Sequence, residues 1–331
     1  VRIAEILPLD RAETGLWPLM RQAGITDAVA SFGRTVDGRA RDGSAAAWEY
    51  SSVRALRDRY AEQDLDVGVL EWRPPLNLTK RGLPGRDEEI AQVITMLTSM
   101  GRVGIPVWCY EWMTDFNWAR TGTSASRGGS IVTSFDLDEV SPATTPLGPI
   151  SDEELWDNLE YFLRRVIPAA EDAGVRLAMH PDDPPLSPLR GVGRIMSSLD
   201  AYRRLVAIAP SEMNGITFCQ GNFRLMTDDI PAAIHEFGGA GRIFFVHFRD
   251  VDGVAERFTE TWHDAGPTDM YACVRAYRDV GFDGLMRSDH VPTLYGEDPA
   301  EVGYGVLGRL FAVGYMRGLL EAATADADRP Q

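Results

Sequence analysis

Four residues of types that bind divalent metals stand at matching places in the second half of the chain. His180, Cys219, His247 and Asp289 each end, or fall just past, a short apolar run: RLAMH (176–180), GITFC (215–219), IFFVH (243–247) and GLMRSD (284–289). Two imidazoles, a thiolate and a carboxylate form a mixed soft and hard donor set. Zn²⁺, Mn²⁺ and Fe²⁺ all accept such a set, and affinity order alone does not choose among them. A closed four-ligand site would be structural. An ion with room for further donors would keep positions for substrate oxygens and act as a Lewis acid. The chain has five histidines. His263 and His290 also lie at or beyond strand ends, whereas His235 falls inside a helix-like run and is read as surface. Cys109 and Cys273 read as core fillers.

Polar groups crowd the segments around these four residues. HPDDPP (180–185) places two carboxylates directly after His180, HFRD (247–250) adds Arg249 and Asp250, FTETWHDAG (258–266) offers Glu260, His263 and Asp264, and SDH (288–290) sets His290 beside Asp289. Asp183 and Asp264 read as loop-solvating or helix-capping groups. Arg249 is read as an anchor for a substrate carboxylate, since a guanidinium beside a metal suits that task.

The elements that must position these groups alternate. Strand-like runs fall at 2–7, 27–32, 66–72, 105–111, 176–180, 214–219, 242–248 and 284–289, short and mostly apolar on both faces. Helix-like stretches follow at 15–23, 51–62, 86–101, 152–173, 197–209, 228–237, 269–280 and 303–322. Eight such units predict an α/β fold, a (β/α)₈ TIM barrel over residues 1–322, with 323–331 as a frayed tail. A doubly wound open sheet is the alternative. Helix-to-strand turns are short and Gly-marked, as in DAGV (172–175) and DVGF (279–282). Strand-to-helix connections at 33–50, 73–85 and 112–151 are long, and barrels build their sites from that set of loops. The Gly/Ser/Thr-rich 112–151 stretch is read as either a lid or a mobile insertion.

Composition bounds the partners. With 331 residues and a net charge of −16, the chain lacks the basic face that nucleic acid requires. No apolar run approaches the ~18–20 residues needed to span a bilayer, and no signal-peptide pattern is present, so no membrane partner is expected. Three widely spaced cysteines make no disulfide framework and suit a reducing cytoplasm.

HPDDPP (180–185), CQGN (219–222), HFRDV (247–251), F-x-E-x-x-H (258–263), DMY (269–271), SDH (288–290) and GYG (303–305) together resemble mannonate dehydratases, and IPVWCYEWMTDFNWART (105–121) is similar to the stretch after that family's fourth strand. The resemblance implies a (β/α)₈ barrel, often dimeric, that dehydrates D-mannonate to 2-keto-3-deoxy-D-gluconate with Mn²⁺ or a similar ion. It implies His180, Cys219, His247 and Asp289 as metal ligands, and His290 and Tyr304 as catalytic residues, without dividing acid from base between them. Trp118, Arg120 and Asn222 join Arg249 as expected substrate contacts. The chain departs from the family at RSDHV (287–291), where arginine-proline-aspartate-histidine-glycine is usual, and at Asn222, where serine is usual. A sugar isomerase or epimerase on the same barrel, a dehydratase of a related aldonic acid, and a non-catalytic binder are the alternatives; a binder would have no need of a proton-transfer pair.

Overall fold

The computed structural model describes residues 1–12, 15–33 and 45–327. Most of the expected 33–50 connection, and the last four residues of the expected tail, lie outside the described residues. Twelve strands are found among them: β1 (Arg2–Pro8), β2 (Asp27–Ser31), β3 (Asp66–Glu71), β4 (Val107–Glu111), β5 (Gly122–Ala125), β6 (Ile131–Asp136), β7 (Arg176–His180), β8 (Asn214–Cys219), β9 (Ile243–Phe248), β10 (Val251–Val254), β11 (Arg257–Glu260) and β12 (Leu285–Ser288). Eight of them close a barrel in the order β1-β12-β9-β8-β7-β4-β3-β2, every pair parallel. Closure excludes the open-sheet alternative. Helices follow the barrel strands, and the last, Val306–Ala327, runs five residues past the boundary expected for it.

Local chemistry sets the helix ends. The helix Asp152–Ala173 opens on a capping box, in which the Ser151 side chain accepts from the Glu154 N–H while the Glu154 carboxylate reaches back to the Ser151 N–H. It stops at Gly174, whose φ of 66° is a left-handed cap that glycine adopts without steric cost.

The period-two alternation of strand side chains builds both floor and site. Val69 and Glu71 on β3, Ala178 and His180 on β7, Phe245 and His247 on β9, and Leu285, Arg287 and Asp289 at β12 share the inward face. The lower members pack with Ala4, Val29, Val107 and Cys109 into a buried apolar plug. The upper members are the polar groups of the barrel mouth. His247 rests edge-on over Phe245, ring centroids 4.9 Å apart.

The 112–151 insertion is neither a loose lid nor a structureless loop. Its β5–β6 hairpin joins β10 and β11 in an antiparallel sheet of order β10-β11-β6-β5. Phe135 and Phe258 stack across the β6–β11 seam, 5.7 Å between centroids, and seal the sheet with Leu189 and Val251. The sheet was not foreseen because Phe135 pairs with Phe258, far along the chain, which leaves no local pattern. Its consequence is that Glu260, the last residue of β11, is carried into the site.

Candidate metal centre and active site

The four strand-end residues converge: one donor atom from each of His180, Cys219, His247 and Asp289 lies within 4.8 Å of all the others. His180 Nε2 is 3.2 Å from His247 Nδ1, and Asp289 Oδ2 is 3.6 Å from both His247 Nδ1 and Cys219 Sγ. His180 is oriented by a hydrogen-bond partner on its other nitrogen, and His247 by a carboxylate in ion-pair contact. His180 Nδ1 lies 2.7 Å from the Pro181 carbonyl, which can only accept, so Nε2 is left as the inward lone pair. His247 Nε2 lies 3.3 Å from the Glu71 carboxylate, which leaves Nδ1 inward.

The electrostatics prepare these donors for a cation. Burial, the largest single influence, would raise the Cys219 thiol, but Arg249 together with hydrogen bonds from His180 and His247 outweighs it and brings the thiol down to about 6. Burial likewise opposes ionisation of Asp289, yet His290, Arg287 and His247 hold it well below the usual carboxylate range. Burial and Arg287 would lower His247, but Glu71 and Asp289 raise it well above its ordinary value. A proton on His247 thus stands where the anionic surroundings favour positive charge. The donor set fits a divalent ion.

Arg249 is the hinge of this arrangement. It is 1% exposed. Its Nη1 donates to Glu260 at 2.8 and 3.0 Å, its Nη2 to Asp183 at 2.9 Å and Asn222 at 3.0 Å, and its Nε lies 2.7 Å from Asp289. Gly221 makes room for it: a Cβ there would meet Arg249 Nη1 at 2.6 Å. Expected as an anchor for a substrate carboxylate, Arg249 has its donors engaged by protein groups behind the four-donor cluster. Asn222 is fully buried in the same wall, with Nδ2 3.6 Å from Cys219 Sγ. Arg120 pairs with Asp183 at 2.6 Å and Glu260 at 2.6 Å and is likewise no open contact. Asp183 is not a solvating loop residue either, for it is buried between Arg120 and Arg249. Of the four expected substrate contacts only Trp118 lines the cavity.

That cavity, about 480 Å³, opens over His180, His247, Asp289, His290 and Tyr304. It is large enough for a small polar ligand. His290 Nδ1 is 2.8 Å from Glu260 Oε1 and its Nε2 is 3.1 Å from the Tyr304 hydroxyl. Glu260 stays ionised: burial opposes this, but Arg249, His290 and Arg120 bring it down to about 2. Arg120 Nη2 also lies 3.2 Å from Nδ1 but donates to Glu260 at 2.6 Å. The carboxylate, which can only accept, is the nearer partner of Nδ1, so Nδ1 carries the proton and Nε2 accepts from Tyr304. Trp118 flanks the pair, its ring 4.9 Å from His290. Glu71, Arg73 and Arg287 also line the cavity and were not singled out in the sequence, although Glu71 ends its strand just as the four donors end or follow theirs.

The departures from the family pattern lie outside the cavity lining. Ser288 points to the other face of β12 and donates to Glu5, which also pairs with Arg309. Val291 is buried and bridges Gly303 through its backbone.

His263 is buried and stacks near Phe248, with no side-chain partner on either ring nitrogen among the described residues. Burial drives its imidazole down to about 4. The unfolded chain binds this proton near pH 6.5 and the folded chain only near 4. Stability from the neutral ring is therefore full above pH 6.5 and is lost as pH falls to 4, up to about 3 kcal/mol. His263→Gln is expected to flatten unfolding free energy against pH in that window. Equal slopes in urea titrations of the two proteins would refute it.

The D-mannonate dehydratase (UxuA) family profile matches residues 18–148 and 144–329. A mannonate dehydratase from Streptococcus suis (strain 05ZYH33) is 34% identical over 305 residues, covering 83% of each chain. One from Oceanobacillus iheyensis is 33% identical over 303 residues, covering 83% of this chain and 86% of its own. The crystal structure of mannonate dehydratase from Streptococcus suis serotype2 superposes with a TM-score of 0.90 at 30% identity, covering 100% of this chain and 95% of that one. A structure of L-ribulose 3-epimerase, at 13% identity and a TM-score of 0.63, shares the fold alone. A closed barrel with its polar groups gathered at one mouth, and matches of this extent in both sequence and structure, place the chain in the mannonate dehydratase family of hydro-lyases.

Proposed function

We infer that the protein dehydrates D-mannonate to 2-keto-3-deoxy-D-gluconate, with His180, Cys219, His247 and Asp289 holding one divalent ion, Mn²⁺ before Fe²⁺ or Zn²⁺. The observation that carries this is the adjacency of two groups on one cavity wall: the four-donor cluster, and the Glu260–His290–Tyr304 chain beginning one residue from Asp289. Bound there, the ion would supply Lewis-acid stabilisation of the charge that develops on the substrate carboxylate.

The chain's own residues move the protons. Dehydration removes the proton from C2, expels the C3 hydroxyl as water, and leaves an enol that takes a proton at C3 to become the 2-keto-3-deoxy acid. Glu260 holds the His290 Nδ1–H, so Nε2 faces the cavity side as the acceptor. Burial raises Tyr304 to about 12, so it begins the cycle protonated. We assign His290 to C2 proton removal and Tyr304 to protonation of the departing hydroxyl. Their 3.1 Å contact lets the pair exchange a proton between turnovers.

Ser288, Val291 and Asn222 do not line the cavity, which supports D-mannonate over a changed substrate. Among the described residues no helix is long and apolar enough to cross a membrane, and Cys109, Cys219 and Cys273 are free thiols. We place the protein in the cytoplasm on the thiols, with a small sugar acid as its partner and the homodimer or higher homo-oligomer that the family resemblance implies. Mn²⁺-loaded protein, offered D-mannonate and a panel of other aldonates, is expected to release a 2-keto-3-deoxy acid from D-mannonate. Recovery of an epimer with no loss of water would favour the isomerase alternative.

A further inference from the structure

Glu71 has no place in the chemistry above, yet from across the barrel it touches one of the four proposed ligands, His247, and Arg287, the support of another. It closes β3, and β3 shares no hydrogen-bonded edge with β9 or β12. Its Oε2 lies 3.3 Å from His247 Nε2. The same carboxylate grips Arg287 bidentately, 2.8 Å from Nη2 and 2.9 Å from Nε, while Arg287 Nη1 reaches Asp289 Oδ1 at 3.1 Å. Glu71 thus spans the mouth of the barrel and meets β9 and β12 at their C-terminal ends.

We propose that Glu71 is a positioning residue that fixes His247 as an Nδ1 ligand and, through Arg287, braces Asp289 for the same ion. The inference rests on the four-residue metal centre proposed above. Its physical basis is tautomer control. A neutral imidazole ligates through whichever nitrogen lacks the proton, and a carboxylate behind the other nitrogen decides which that is. With the Glu71 carboxylate in ion-pair contact 3.3 Å behind Nε2, the proton is favoured on that nitrogen and Nδ1 faces His180 and Asp289. Without it, the ring can protonate Nδ1 or rotate. The Arg287 arm adds direction: a guanidinium shared between Glu71 and Oδ1 of Asp289 leaves Oδ2 as the oxygen turned to Cys219 and His247.

Glu71, Cys109 and His247 also converge closely enough to hold a second ion. The bidentate Arg287 argues against that use, because its cationic fork already occupies both Glu71 oxygens.

The test is Mn²⁺ affinity of metal-free wild type, Glu71→Ala, Glu71→Gln and His180→Ala, by competition with a chelator of known affinity. A carboxylate that holds the far nitrogen of a ligating histidine is worth about 10–100-fold in metal affinity. Glu71→Ala is expected to weaken binding by that factor. Glu71→Gln, which keeps an acceptor for the His247 N–H, is expected to recover most of it. In Zn²⁺-loaded protein with ¹⁵N-labelled histidine, His247 is expected to carry its proton on Nε2 in wild type and to mix tautomers in Glu71→Ala. Unchanged affinity in Glu71→Ala, with binding lost in His180→Ala, would overturn this inference and leave the metal centre standing. Unchanged affinity in His180→Ala would overturn the metal centre and this inference together. Equal losses in the Ala and Gln variants, or a second Mn²⁺ bound only when Glu71 is present, would also refute the positioning role.

Discussion

Arg249→Met is expected to cost the fold about 3–5 kcal/mol, the range for removing one partner of a buried ion pair. The size follows from what the guanidinium touches. Asp183, Glu260 and Asp289 are all within 3.0 Å of it, and it is the main group lowering the Cys219 thiol. Methionine fills much of the volume and leaves those anions buried without a cation. Some will take up protons instead, Cys219 first, since Arg249 is what holds its thiol near 6 against burial. Thiolate absorbance of the metal-free protein is therefore expected to titrate at higher pH in Arg249→Met than in wild type. Arg249→Lys keeps the charge but not the fork and should fall between the two. A Met variant within about 1 kcal/mol of wild type in urea unfolding would show that Arg249 does not organise the site.

His290→Ala is expected to lower kcat by about 10²–10⁴, the usual contribution of a positioned acid–base group, with little change in metal content. His290 is buried, so the loss could have a packing component, and Tyr304→Phe guards against that. It removes one oxygen from a residue whose ring still packs beside Trp118, 6.2 Å between centroids. A similar loss of kcat in Tyr304→Phe would mark the hydroxyl as a proton carrier. The double variant is expected to be hardly slower than either single one, because residues acting as one relay are not additive. Turnover near wild type in both single variants, with metal bound, would remove the pair from the mechanism.

The barrel was legible because its strands are covered on both faces and read as apolar runs, with glycine marking the helix stops. The four convergent donors were legible for the same reason: a polar residue that ends an apolar inward-facing run has nowhere to point but the mouth. Arg249 was visible as a residue, but the groups it touches were not. Its partners lie at 183, 222, 260 and 289, and only the folded chain reveals that a basic residue beside the ligands already has its charge matched. Glu260 stood in a recognised motif, but its use depends on the β6–β11 pairing that swings it over His290. Glu71 carried a usable signal, since it ends β3 much as the donors end their own strands. A glutamate at a strand end is unremarkable until the histidine facing it is known.

The central claim is that His180, Cys219, His247 and Asp289 hold a single divalent ion in the barrel mouth. Anomalous scattering at the manganese edge from crystals of the Mn²⁺-loaded protein tests it most directly. One peak per chain is predicted, within bonding reach of His180 Nε2, Cys219 Sγ, His247 Nδ1 and a carboxylate oxygen of Asp289. A peak on other residues, or none in protein that is turning over D-mannonate, would contradict it.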